Sequence, residues 1–128
     1  MNGFTLDSKG KDVLKSSLKV WLQIQDILGI NEHRIHHAKI KSIEKQCEEI
    51  IKKVKNTPYE FSNDYNTPIV DQLKAVLDED KDYPSVRLVR LQMWIHAIIR
   101  KIGVMIKDKE LDQTHPRISY YRKVYANV

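Results

Sequence analysis

The chain has a single cysteine, Cys47, among 128 residues. No disulfide can close within it, and no Cys-x-x-Cys pair is available for zinc. Glycine and proline are also scarce, four of each. The prolines fall between periodic segments rather than inside them, as they do in helical chains. No apolar run approaches the roughly 18 residues of a spanning helix. The opening MNGFTLDSKGKD lacks the apolar centre of a secretory leader. The expectation is a cytoplasmic protein without a membrane span. Chemistry-bearing motifs are missing too. There is no glycine-rich phosphate loop and no Ser-His-Asp or Cys-His arrangement at an arguable spacing. The acids of DEDKD (78–82) lack the second carboxylate set that a MazG-like, magnesium-dependent hydrolase would need. These absences point to a non-enzymatic protein with no resident cofactor.

What is present is a globular composition, 41% apolar and 30% charged, with 22 basic residues against 17 acidic and a net charge of +5. The length suits one domain over residues 1–128. Leu14, Leu18, Trp21, Ile24 and Leu28 recur at three and four, one stripe of a helix over 10–28 that Gly29 would close in a left-handed conformation. Asn31 can cap a second helix reaching Lys55, with Ile40, Ile43, Cys47, Ile50 and Val54 as its seam. Cys47 therefore reads as buried rather than nucleophilic. The loop NTPYEFSNDYNTP (56–68) should fold Tyr59, Phe61 and Tyr65 back onto the bundle. Thr67 and Pro68 suit the cap and first position of a short third helix. Pro84 opens the longest apolar segment, with Leu88, Leu91, Ile95, Ile98, Ile102 and Met105 in one stripe. Val86, Val89, Met93 and Ile99 widen that stripe, which predicts a helix at the centre of the bundle. A short helix over 118–128 ends the chain. The fold class is all-α, a compact bundle of four main helices plus a short C-terminal helix.

Three histidines sit within five positions, His33, His36 and His37. The spacing of His33 and His37 is that of two zinc ligands on one helix face, with Glu32, His96 or His115 as further donors. Arg34 stands where a zincin carries its glutamate and opposes a second cation. The plainer reading is a polar end to the apolar seam, so no metal site is assigned. Arg90 and His96, with five residues between them, resemble the Arg-x(4–6)-His pair of HEPN-type ribonucleases. That resemblance implies RNA cleavage and makes a small helical ribonuclease or hydrolase the third alternative.

Basic surfaces carry more. Residues 84–107 contain Arg87, Arg90, Arg100, Lys101 and Lys107 and no acid. Arg87, Arg90, Trp94 and Lys101 share one side by helical spacing. The tail adds Arg117, Tyr120, Arg122 and Lys123, with no carboxylate side chain after His115. Cations hold phosphates and rings stack on bases, so a single-stranded nucleic acid is the expected partner. The alternative is a protein–protein adaptor or inhibitor presenting the 59–65 loop and the tyrosine-rich tail, where Tyr121 and Tyr125 form a docking face. The charges of the second helix, Lys39 to Lys55 with Glu44, Glu48 and Glu49, read as a solvated face whose regular seam could extend into a homo-oligomer.

The stretch KAVLDEDKDYPSVRLVRLQMW (74–94) resembles part of the UvsY-type recombination mediators of T-even phages. The matching residues are Lys74, Val76, Leu77, Asp80, Lys81, Asp82, Leu91, Gln92 and Trp94, with Trp21-Leu22 and the basic tail similar in layout. The resemblance covers about 20 residues. It implies a phage-encoded, non-enzymatic oligomer that binds single-stranded DNA and helps load a recombinase.

Overall fold

The computed structural model describes residues 5–29, 37–63, 65–79 and 83–128. Five helices follow one another: α1 (Ser8–Gly29), α2 (His37–Lys55), α3 (Ile69–Asp78), α4 (Pro84–Ile106) and α5 (Ile118–Asn127). Among the described residues there is no strand, only one isolated antiparallel bridge between Ser62 and Pro68. The protein is an all-α bundle. The expected start of the second helix at Asn31 lies outside the described residues, as do His33, His36 and Glu32.

Asp7 starts α1 by accepting the Gly10 amide on its carboxylate at 2.8 Å. That bond is the main reason its carboxyl is held below the usual range. Gly10 is needed at this turn, because an added Cβ would lie 2.8 Å from Leu6 and 2.9 Å from the Tyr59 ring. From there α1 buries Val13, Leu14, Leu18, Trp21 and Ile24, and it packs against α2, α4 and α5. The α2 seam is buried throughout: Ile40, Ile43, Cys47, Ile50 and Val54. Leu88, Leu91, Ile95, Ile98 and Ile102 of α4 are fully buried and complete the core.

Four local expectations are corrected. Gly29 ends α1 without left-handed backbone; the left-handed helix end is Lys107, φ 58°, which closes α4. The cap of α3 is Pro68 rather than Thr67, and its first helical residue is Ile69. Phe61 does fold inward and Tyr59 packs on the core, but Tyr65 is 89% exposed. The fourth correction concerns α4, which touches α1, α2 and α3 yet leaves one side open, with Val86, Val89, Met93 and Val104 exposed. A wide apolar stripe here means two faces, one buried and one uncovered.

After Lys107 the chain turns back along α4. Asp108 accepts the Glu110 and Leu111 amides, and Leu111 is buried. Gly103 makes this return possible: a Cβ there would come within 2.8 Å of the Leu111–Asp112 backbone. Beyond it, α5 docks on α1 through Tyr121, whose ring meets Trp21 edge-on at 4.9 Å.

Candidate nucleic-acid interface

Most of the expected contact residues turn out to have partners inside the protein. Arg87 is the clearest case. Its guanidinium donates to the Val76 and Leu77 carbonyls at 2.8 Å each, to the Glu79 carbonyl, and to the Glu44 carboxylate at 3.1 Å. Those carbonyls belong to the last turn of α3 and the residue after it; the Val76 carbonyl also accepts the Glu79 amide at 3.3 Å, while helix ends leave such carbonyls short of donors. Arg87 is thus the C-terminal cap of α3, delivered from α4, and its side chain is only 12% exposed.

Arg90 pairs with Glu79 at 2.6 Å. Trp94 is half-buried against the core. Arg100 donates to the Asp112 carbonyl at 3.0 Å, with the Asp112 carboxylate 3.9 Å away. Arg117 pairs with Glu110 at 2.7 Å. Tyr120 donates to Asp108 at 2.6 Å, and that bond pushes its hydroxyl up to about 12. Arg122 lies 3.6 Å from Asp26, both largely exposed. Lys101 and Lys123 have no ion-pair partner among the described residues. Arg100 and Lys101 share a shallow cleft of about 110 Å³ with Ser62 and Asn63. The tail packs mainly on α1 and touches α4 through the Tyr121–His96 hydrogen bond.

The ribonuclease-like pair does not converge within the chain. Arg90 turns to Glu79, whereas His96 bonds the Thr114 carbonyl at 3.2 Å and Tyr121 at 2.8 Å. A carbonyl only accepts, so Nε2 carries the proton, Nδ1 accepts, and the Tyr121 hydroxyl donates. Burial is the main cause that lowers the His96 pKa, with Arg100 adding to it against the bond to Thr114. His96 therefore stabilises the fold in its neutral form. That contribution is complete above the unfolded value of 6.5 and is lost as pH falls through it toward the lowered folded value. Thermal midpoints followed from pH 7.5 to 5 should fall more steeply for the wild type than for His96→Gln. Parallel slopes would remove His96 from the pH response.

Cys47 is buried and its thiol is pushed up to about 12, by burial first and then by Glu44 and Glu48. His37 is exposed at the start of α2, beside a hollow lined by Glu44, Asp78 and Glu79, and His115 is exposed in the return loop. Among the described residues, no group of three or more His, Cys, Asp or Glu could hold a metal ion, and no helix is long and apolar enough to cross a membrane.

A different basic feature emerges between α1 and α2. A cleft of about 250 Å³ opens there, lined by Ser16, Lys19, Val20, Lys45, Ile50 and Lys53 with Gln46 and Glu49. Its floor is Val20 and Ile50, each 1% exposed. Two ties hold its ends. Gln46 donates to Gln23 at 2.9 Å, and Lys53 donates to Ser16 at 2.8 Å and reaches Asp12 at 3.3 Å. Lys19 stands on one rim and Lys45 on the other, both exposed and both without an ion-pair partner among the described residues. Lys15 and Lys41 extend each row by one turn. The Glu49 carboxylate is opposed by Lys52 at 3.5 Å. The signal in the sequence was the pair of four-residue lysine spacings, 15–19 and 41–45. No protein-family model, curated protein or solved structure matches the chain.

Proposed function

We propose that the protein is a non-enzymatic adaptor that binds single-stranded nucleic acid, as the resemblance to UvsY-type mediators implies. The observation that carries this reading is the α1–α2 cleft, with a row of lysines on each rim. Lysines on opposite rims can hold successive phosphates of one strand. The preference for a single strand rests on the UvsY-type resemblance, since Val20 and Ile50 beneath the lysines are each 1% exposed and offer a base little surface. Lys101, Arg122 and Lys123 supply further, scattered cations.

The test is fluorescence anisotropy of labelled single-stranded DNA, single-stranded RNA and duplex DNA across a salt series. Wild-type protein should prefer a single strand and show a clear salt slope. Replacing Lys19 and Lys45 together with Ala removes two phosphate contacts, so the slope should flatten by about 1.4, at roughly 0.7 per contact on a single strand. The Arg122→Ala/Lys123→Ala pair should change it little. An effect confined to the second pair would move the site to the tail. Flat traces at low salt would end the nucleic-acid reading.

A further inference from the structure

Five of the six large hydrophobics that stand exposed among the described residues lie on α4 or immediately before it: Tyr83, Val86, Val89, Met93 and Val104. The four aliphatic ones are between 44% and 53% exposed. At 100° per residue, Val86, Met93, Ala97 and Val104 fall within an arc of about 40° over a length of about 27 Å. Val89 widens the near end of the stripe. Opposite it runs the buried stripe Leu88 to Ile102, so α4 is amphipathic twice over, and only one of its apolar faces has a partner in the fold. A contiguous apolar patch on a surface marks an interaction site more often than isolated residues do.

The charge beside the stripe says what fits it. Lys101 on one edge and Lys107 on the other have no ion-pair partner among the described residues, whereas Arg90 and Arg100 beside them already hold Glu79 and Asp112, and α4 carries no acid. We infer that this face docks an amphipathic helix of a partner protein, one whose apolar stripe is bordered by carboxylates. Helix-in-groove recognition reads anchors at three- and four-residue spacing, which is the spacing presented here. A second copy is a poor occupant, because α4 carries no carboxylate to meet the Lys101 and Lys107 of its partner. A flat lipid surface meets the wrong shape. Ala97 and Val104 sit in the cleft with Ser62, Asn63 and Asp112 along its walls, where a helix ridge reaches and a bilayer does not.

The probe is a synthetic helical peptide of about 18 residues with leucine at core positions and glutamate beside them, titrated by anisotropy. A twin peptide carries lysine in place of every glutamate. The acidic peptide should bind wild-type protein at least tenfold more tightly than its twin. Met93→Asp and, separately, Val86→Asp should each weaken it at least tenfold while the urea midpoint stays put, since both side chains are half in solvent. Binding of single-stranded DNA should be the same in both variants, which keeps this surface distinct from the α1–α2 cleft. No binding, equal binding of the two peptides, or indifference to both substitutions would overturn the assignment. So would a wild-type dimer that Met93→Asp dissociates, or displacement of the peptide by phosphatidylserine vesicles.

Discussion

Arg87→Ala should be among the most destabilising single changes in this protein, lowering unfolding free energy by about 3–5 kcal/mol. The substitution removes the donor of the Leu77 and Glu79 carbonyls, one of two donors to the Val76 carbonyl, and leaves the Glu44 carboxylate, 19% exposed, without its cation. Each orphaned group costs more than the bond was worth, because its desolvation is no longer offset. Arg87 also ties three helices at one point: Glu44 is on α2, the carbonyls belong to α3 and the residue following it, and Arg87 itself is on α4. Lysine cannot repair the site, having a single ammonium where a planar fork reaches several acceptors at once. Urea melts should show a lower midpoint for both Arg87→Ala and Arg87→Lys, with most of the loss remaining in the lysine variant. A midpoint shift worth less than about 1 kcal/mol for Arg87→Ala would return this residue to the pool of surface cations.

The case of Arg87 shows where sequence pattern stops. Apolar periodicity located all five helices and the buried seams of α1, α2 and α4, because a three-four repeat has one folded outcome, a face turned from water. Charge has several. An arginine on a helix can hold a phosphate, pair with a neighbouring carboxylate or cap another helix, and its spacing along its own helix is the same in each case. Arg87, Arg90, Arg100 and Arg117 were all legible as cations. Their partners Glu44, Glu79, Asp112 and Glu110 come from α2 and from the segments after α3 and α4, and only the fold fixes those distances. The lysines of the α1–α2 cleft were hidden for the converse reason. Lys19 and Lys45, 26 residues apart in the chain, look like ordinary solvated charges until α1 and α2 set them on opposite rims.

The same limit explains α4. Counting apolar residues around the helix predicted a place at the centre of the bundle. Burial requires something to pack against, and α1, α2 and α3 leave Val86, Met93 and Val104 uncovered. An excess of apolar residues over what the fold can cover is visible in the sequence; which face keeps the excess is not. If both proposed surfaces hold, nucleic acid lies across α1 and α2 and the partner protein on α4. The protein then joins two ligands without either blocking the other, which is what an adaptor requires.

Tyr121→Ala should cost about as much as Arg87→Ala, roughly 3–5 kcal/mol, by the other main route, loss of a large buried ring. Tyr121 is fully buried at the centre of the α5 contact. Its ring stands edge-on to Trp21 at 4.9 Å, and its hydroxyl donates to His96 at 2.8 Å. It is the one buried residue of α5, so truncating it removes the anchor that holds the tail to α1. Tyr121→Phe separates the two contributions. It keeps the ring and its packing and leaves the His96 nitrogen without a donor, a loss of about 1 kcal/mol. The expected order of urea midpoints is wild type, then Tyr121→Phe, then Tyr121→Ala well below both. The alanine variant should also become a preferred site of limited proteolysis between Lys107 and Ile118, because a released α5 frees the segment that precedes it. Equal midpoints for the phenylalanine and alanine variants would mean that the hydroxyl, not the ring, holds the tail in place.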